Sequence, residues 1–238
     1  MKYIYGPVES RRLGFSLGVS LTPYKTCDFD CVYCQLGPTK EKVQERKEYV
    51  KKEEILDELR TWLGSNPVEV ANLKYITLSG MGEPTLNIQI GEIISEIKKI
   101  TQIPIAVITN ASLLSVKDVR ASILGADLIV PSLDAGVQNV FQKIDRPVEN
   151  IKVEDIIEGL VLLRKEFRGQ IWLEVMLVRG FNDHIRHIRK LKVALEKINP
   201  DKIQLNCPVR TTAEKIFAPE MRKMKKIQAM LGEKAEVV

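Results

Sequence analysis

The stretch CDFDCVYC, residues 27–34, sets three cysteines at the spacing C-x3-C-x2-C, and the chain holds only one other cysteine, Cys207. Three closely spaced thiols do not complete a tetrahedral metal shell. They can hold three irons of a [4Fe–4S] cluster and leave the fourth iron open, because such clusters ordinarily take four thiolates. An open iron is a place where a small molecule can bind and accept an electron. Two plainer readings carry less weight. Disulfides mark secreted chains, and nothing here points to secretion. A structural zinc needs a fourth ligand at compatible spacing; the only histidines, His184 and His187, lie far downstream in a charged segment that reads as a solvated helix face.

Outward from the triplet, strand-like and helix-like segments alternate. LGVSL (17–21), bounded by Gly and Pro, leads into the cysteine loop as a first strand. YVKKEEILDELRTWL (49–63) places Ile55, Leu59 and Leu63 on one helical face, and Gly64 to Pro67 end it. Further strands are predicted at 73–79, 103–110, 126–134, 171–178 and 201–208. Helices are predicted at 90–100, 115–124, 151–167, 183–198 and 220–231, the last of them basic. Six strands alternating with helices imply an α/β fold with a parallel sheet, since parallel neighbours need a crossover that is usually helical. Right-handed crossovers curl such a sheet into a barrel or partial barrel, whose chemistry sits at the C-terminal strand ends. The cysteine loop follows the first strand, where that rule puts it.

Length and composition agree. The chain has 238 residues, 45% of them hydrophobic, enough for one large domain with a sizeable core. We expect a single domain over 1–238, with its core at about 15–208 and a basic helical tail at about 209–238. No apolar signal region opens the chain and charges interrupt every later apolar run, so no membrane span is expected and a cytoplasmic location is. The net charge of +5 permits an RNA, nucleotide or acidic-protein partner without requiring one.

The cysteine loop resembles that of the radical S-adenosylmethionine (radical SAM) superfamily. The resemblance implies a partial (β/α)6 barrel, a [4Fe–4S] cluster on Cys27, Cys31 and Cys34, and SAM at the open iron. Tyr33 stands where the superfamily places an aromatic residue near the adenine. SGMGEPTLN (79–87) resembles the segment that binds the methionine amino group, with Met81 in place of the first glycine and Gly82 and Glu83 retained. Its GMGEP wording also resembles RNA-methylating members. Asn110, in TNASLL, resembles a segment of glycyl-radical activating enzymes. Ser132 and Asp134, in PSLDA, occupy a position from which the ribose of SAM is often bound, although both residue types also cap helices. The whole chain, from YGPVESRRLG to QLNCPVR, is similar to an uncharacterised radical SAM group.

Other polar residues are candidates for contact with a substrate. Glu174 sits mid-strand between Trp172 and Met176, where a carboxylate is costly unless paired, so it is expected to face a polar interior. Arg179, Asn182 and Asp183 follow that strand. Arg11, Arg12 and Arg146 suit carboxylate or phosphate recognition, and Gln204 and Asn206 share a face of the sixth predicted strand. Surface charge, core ion pairs and turn capping are the structural alternatives. The resemblance implies reductive cleavage of SAM to methionine and a 5′-deoxyadenosyl radical, with an electron from a flavodoxin or ferredoxin. The substrate is open among a protein glycine, an RNA nucleoside and a small metabolite. Cysteine arithmetic disfavours a second cluster, as in wyosine-type synthases, and the methyl synthases, which use two further cysteines. Cys207 reads as a buried strand-end residue. The rival class is a non-enzymatic iron–sulfur protein for electron transfer or redox sensing.

Overall fold

The computed structural model describes residues 1–238. One eight-stranded sheet runs in chain order: β1 (Ile4–Ser10), β2 (Gly14–Ser20), β3 (Tyr75–Ser79), β4 (Ile105–Thr109), β5 (Leu128–Pro131), β6 (Gln170–Met176), β7 (Lys202–Asn206) and β8 (Ala235–Val237). β2 to β8 are parallel, and β1 alone is antiparallel, forming a hairpin with β2. Around the sheet lie α1 (Lys52–Ser65), α2 (Pro67–Asn72), α3 (Ile90–Ile100), α4 (Lys117–Ile123), α5 (Gln138–Ile144), α6 (Val153–Glu166), α7 (Ile185–Ile198) and α8 (Met221–Leu231). The result is an α/β partial barrel.

The six predicted strands are β2 to β7. Strands β1 and β8 correct the count, and they extend the sheet beyond the core expected at 15–208. Gly6 and Pro7 break the alternation of β1, whose register shifts between Tyr5 and Val8. Three residues are too few to carry a period in β8. Pro67 does not merely end a helix. It opens α2 from its first turn, where its missing N–H costs nothing.

Period-two alternation divides each strand between two environments. Leu17, Val19, Ile76, Leu78, Val107, Leu173 and Val175 point outward to the helices and join a core that includes Ile93, Ile97, Leu160 and Leu191. Full burial of each such side chain stabilises by about 1.5–3 kcal/mol. On the concave face, Leu13 from the hairpin turn meets Ala106, Leu128 and Val130, with Tyr75 and Trp172 against them, and plugs one end of the lumen. Beyond the plug that face carries the polar side chains of Tyr5, Ser79, Glu174, Gln204 and Asn206, with Met176 beside them. The Tyr5 ring lies over Gly18, where a Cβ would collide with it, and its hydroxyl is 2.6 Å from the Ser79 hydroxyl.

One reading of the histidines is corrected. His184 is exposed at the start of α7, but His187 is buried on the helix face shared with Ile188 and Leu191. Its Nδ1 donates to the Asn182 carbonyl (2.7 Å), and its Nε2 accepts the Gly136 N–H (3.1 Å). Burial holds its pKa below the ordinary value.

Candidate active site

The loop after β2 carries Cys27, Cys31 and Cys34, all free and half-buried. Short local bonds shape it: the Cys34 N–H donates to the Cys31 carbonyl, and the Val43 N–H to that of Cys27. The GMGEP turn after β3 is joined to its start. The Lys25 N–H donates to the Met81 carbonyl (2.5 Å), and the Glu83 N–H to that of Thr26 (2.9 Å). At Gly82 a Cβ would fall on the Thr26 carbonyl, so only glycine permits this approach.

Glu83 is buried, and its carboxylate is fully engaged. It accepts from the Thr85 N–H (3.1 Å) and hydroxyl (2.7 Å), the Thr109 hydroxyl (2.7 Å) and the Asn110 N–H (2.7 Å). Here it ties the ends of β3 and β4 together and positions Asn110. Burial, then repulsion from Asp28, raises its pKa to about 7. The Asn110 amide donates to Asp28 Oδ1 (2.6 Å) and lies 3.7 Å from the Cys27 sulfur, which joins the end of β4 to the cysteine loop.

Tyr33, Asn110, Ser132 and Asp134 line one small cleft with Phe29 and Asp145. The Tyr33 hydroxyl donates to Asp134 and lies 3.2 Å from Asp145 Oδ1, and the Asp134 carboxylate also accepts the Met176 N–H (2.6 Å). Burial raises the Asp134 pKa to about 6 and lifts that of Asp145 well above the carboxylate range. It likewise pushes up the Cys27 and Cys31 thiols, helped by Asp28 and Asp145 respectively. Asp28, Asp145 and Lys25 were not singled out from sequence. The first was legible, since it follows Cys27 inside the motif; Asp145 stands beside Arg146 in KIDRP. Lys25, whose ammonium is 2.8 Å from the Cys34 sulfur, gave no periodic signal.

The expected substrate residues separate into two groups. Arg12 pairs with buried Glu174, whose other oxygen accepts from Asn206 (3.2 Å). Arg11 reaches Asn206 Oδ1 (2.7 Å) at the end of β7 and the Val238 carbonyl (3.0 Å) just past β8, so the β1–β2 turn spans the open seam between the sheet edges β1 and β8. Glu174 therefore faces a polar interior, as the strand pattern predicts. Arg146 and Arg179 do not join this cluster. Arg146 lies beside the cysteine loop and pairs with Glu214 (2.5 Å); Arg179 is exposed near Glu220 (3.3 Å). Asn182 and Asp183 hold the turn after β6: Asn182 bonds the Asp134 and Met176 carbonyls, and Asp183 accepts from Gly180 and Lys223. Cys207 is half-buried just past β7.

The donor set fits a [4Fe–4S] cluster with SAM. Three unbridged thiols share one loop at the C-terminal strand ends, and the carboxylates around them suit a ligand with a cationic sulfonium and ammonium. One of these, Asp28, keeps a buried oxygen with no partner.

Residues 21–191 match the radical SAM superfamily, and the chain belongs to it. Among individual relatives, it is similar to UPF0026 proteins. It is 36% identical over 234 residues to one from Methanocaldococcus jannaschii, covering 98% of this chain and 72% of that protein. It is 39% identical over 208 residues to one from Synechocystis sp., covering 87% and 76%. A Brachyspira hyodysenteriae protein named GTPase Obg is 41% identical over 229 residues, 94% of this chain, but the chain spans only 33% of its length. Among solved structures, TYW1 with a lysine–pyruvate adduct bound superposes with TM-score 0.67 at 21% identity, covering 91% of this chain and 72% of that one. A radical SAM methyltransferase from Sphaerobacter thermophilus gives 0.69 at 17%, covering 94% and 65%. These structures share the fold. No helix of the chain is long and apolar enough to cross a membrane.

Proposed function

We propose that this chain is an enzyme that binds one [4Fe–4S] cluster through Cys27, Cys31 and Cys34 and acts on SAM beside it. The observation that carries the reading is the joint placement of three free thiols and the Tyr33–Asn110–Ser132–Asp134 cleft at the same strand ends. When bound, the cluster and SAM supply reductive cleavage of the sulfonium to methionine and a 5′-deoxyadenosyl radical that abstracts hydrogen from a substrate. Asn110, Ser132 and Asp134 would hold polar groups of SAM, and Tyr33 would pack against it while its hydroxyl bond fixes Asp134. Glu83 and Gly82 act one step back, locking the GMGEP turn to the loop so that Asn110 meets Asp28 and Cys27. The apolar plug at Leu13, Leu128 and Val130 keeps water from the far end of the lumen. A flavodoxin or ferredoxin supplies the electron.

The test is anaerobic reconstitution, reduction with dithionite and addition of SAM. We expect 5′-deoxyadenosine from the wild type and none above background from Cys27→Ala. Full iron and sulfide loading without 5′-deoxyadenosine would instead favour the electron-transfer or redox-sensing reading. The methyl-synthase reading has only Cys207 to offer as a further thiol.

A further inference from the structure

The helices of this chain divide by charge. Among those of eleven or more residues, α1, α3 and α6 place carboxylates in their first turns: Glu53 and Glu54, Glu92, and Glu154 and Asp155. That arrangement complements the helix dipole. α7 and α8 have no carboxylate there and begin IRHIR and MRKMKK. Cations at a helix N-terminus oppose the dipole; the carboxylates nearest these two starts are Asp183, just before the His184 cap of α7, and Glu220, the N-cap of α8. α7 carries five Lys and Arg against Glu196, and α8 four against none, a surplus of eight where the whole chain has +5. The rest of the molecule is therefore net negative.

α7 and α8 pack side by side, which brings the two surpluses to one side of the molecule. Arg186, Arg189 and Lys190 on α7 and Arg222, Lys225 and Lys226 on α8 are exposed. None of the six has a carboxylate within 4.0 Å, unlike Lys223, which meets Asp183. Helix N-termini with free N–H groups add to the same positive potential. Directly before α8, Phe217 is 60% exposed, and its carbonyl accepts the Arg179 N–H (2.9 Å) just beyond β6. Phe217 thus lies, exposed, where the chain passes the end of β6 and turns into α8.

We infer that the α7–α8 face docks RNA, with phosphates on the six cations and an unstacked base on Phe217. The phosphodiester backbone matches the charge, and an exposed ring beside cations is what a splayed base stacks on. An acidic protein would satisfy the cations equally but gives the ring no planar partner. As a substrate class for the proposed chemistry, RNA depends on that reading; the docking itself does not, because it is measured without SAM.

The experiment titrates the full-length reconstituted chain with a labelled single-stranded RNA and with unfractionated tRNA across a salt series. We expect log K to fall linearly with log salt. Arg189→Gln/Lys190→Gln/Lys226→Gln should flatten that slope by about two and weaken binding at low salt at least tenfold. Lys117→Gln/Lys143→Gln/Lys165→Gln, elsewhere on the surface, should do neither. Phe217→Ala should lose about tenfold with the slope unchanged, the loss of one stacked base. The proposal is overturned if the α7–α8 variant keeps the wild-type slope or the control variant matches it. It is also overturned if Phe217→Ala binds as wild type, or if poly-glutamate displaces RNA as well as unlabelled RNA does at equal charge. That last result would assign the face to an acidic protein.

Discussion

At the ends of β2 to β5, the buried carboxylates of Asp28, Glu83, Asp134 and Asp145 meet no cation and are held by hydroxyl, amide and backbone N–H groups. Past β5, buried carboxylates are paired: Glu174 with Arg12, and Asp183 with Lys223. Burial makes an uncompensated carboxylate costly and raises its pKa, as at Glu83 and Asp134. A fold tolerates several of these together where a ligand brings the missing positive charge. The first half of the barrel thus gathers cation-free carboxylates beside three thiols, which supports the proposed cationic ligand, while the second half pairs its buried carboxylates and carries its excess cations on the surface.

Breaking the paired half should have the largest effect. Arg12→Gln leaves Glu174 buried with no cation and only the Asn206 amide, and should cost about 3–5 kcal/mol in denaturant unfolding. Adding Glu174→Gln should recover most of this; no recovery would mean that the pair is not what holds the seam. In the unpaired half, Glu83→Ala strands the donors of Thr85, Thr109 and Asn110 and should cost about 3 kcal/mol, less for Glu83→Gln. If Glu83→Ala unfolds like wild type, its carboxylate is not the tie between β3 and β4.

A third measurement concerns His187, which links the halves through Gly136 and Asn182. Its folded pKa lies below the unfolded value of about 6.5, so its contribution is present above that pH and is lost as pH falls toward the folded pKa. Stability should therefore drop below about pH 6.5, and more steeply than in His187→Gln; equal slopes would remove His187 from the account. The smallest expected change is a gain. Arg222→Glu adds a second carboxylate, after the Glu220 cap, at the N-terminus of α8 and should stabilise by about 0.3–1 kcal/mol while weakening RNA binding. A stability loss would show that the basic start of α8 serves the fold.

Much of this was legible in the chain because it is local. The cysteine spacing, the six central strands and the mid-strand anomaly of Glu174 depend on neighbours a few residues apart. So does the burial of His187, had the spacing of His187, Ile188 and Leu191 been followed. Short elements were not legible: β8, α2 and α5 are too brief for a period, and Gly6 and Pro7 disguise β1.

What the sequence determined by itself was the class of fold and the three thiols on one loop, since periodicity and motif spacing survive without tertiary contacts. Tertiary structure alone decided that Glu83 is a tie between strands, and that Arg11 and Arg12 cross the seam to Asn206 and Glu174. It also decided that Arg146 and Arg179 stand apart, and that two basic helices lie side by side. Each of those facts joins side chains distant in the chain, and only closure of the sheet brings them within hydrogen-bond or Coulomb range.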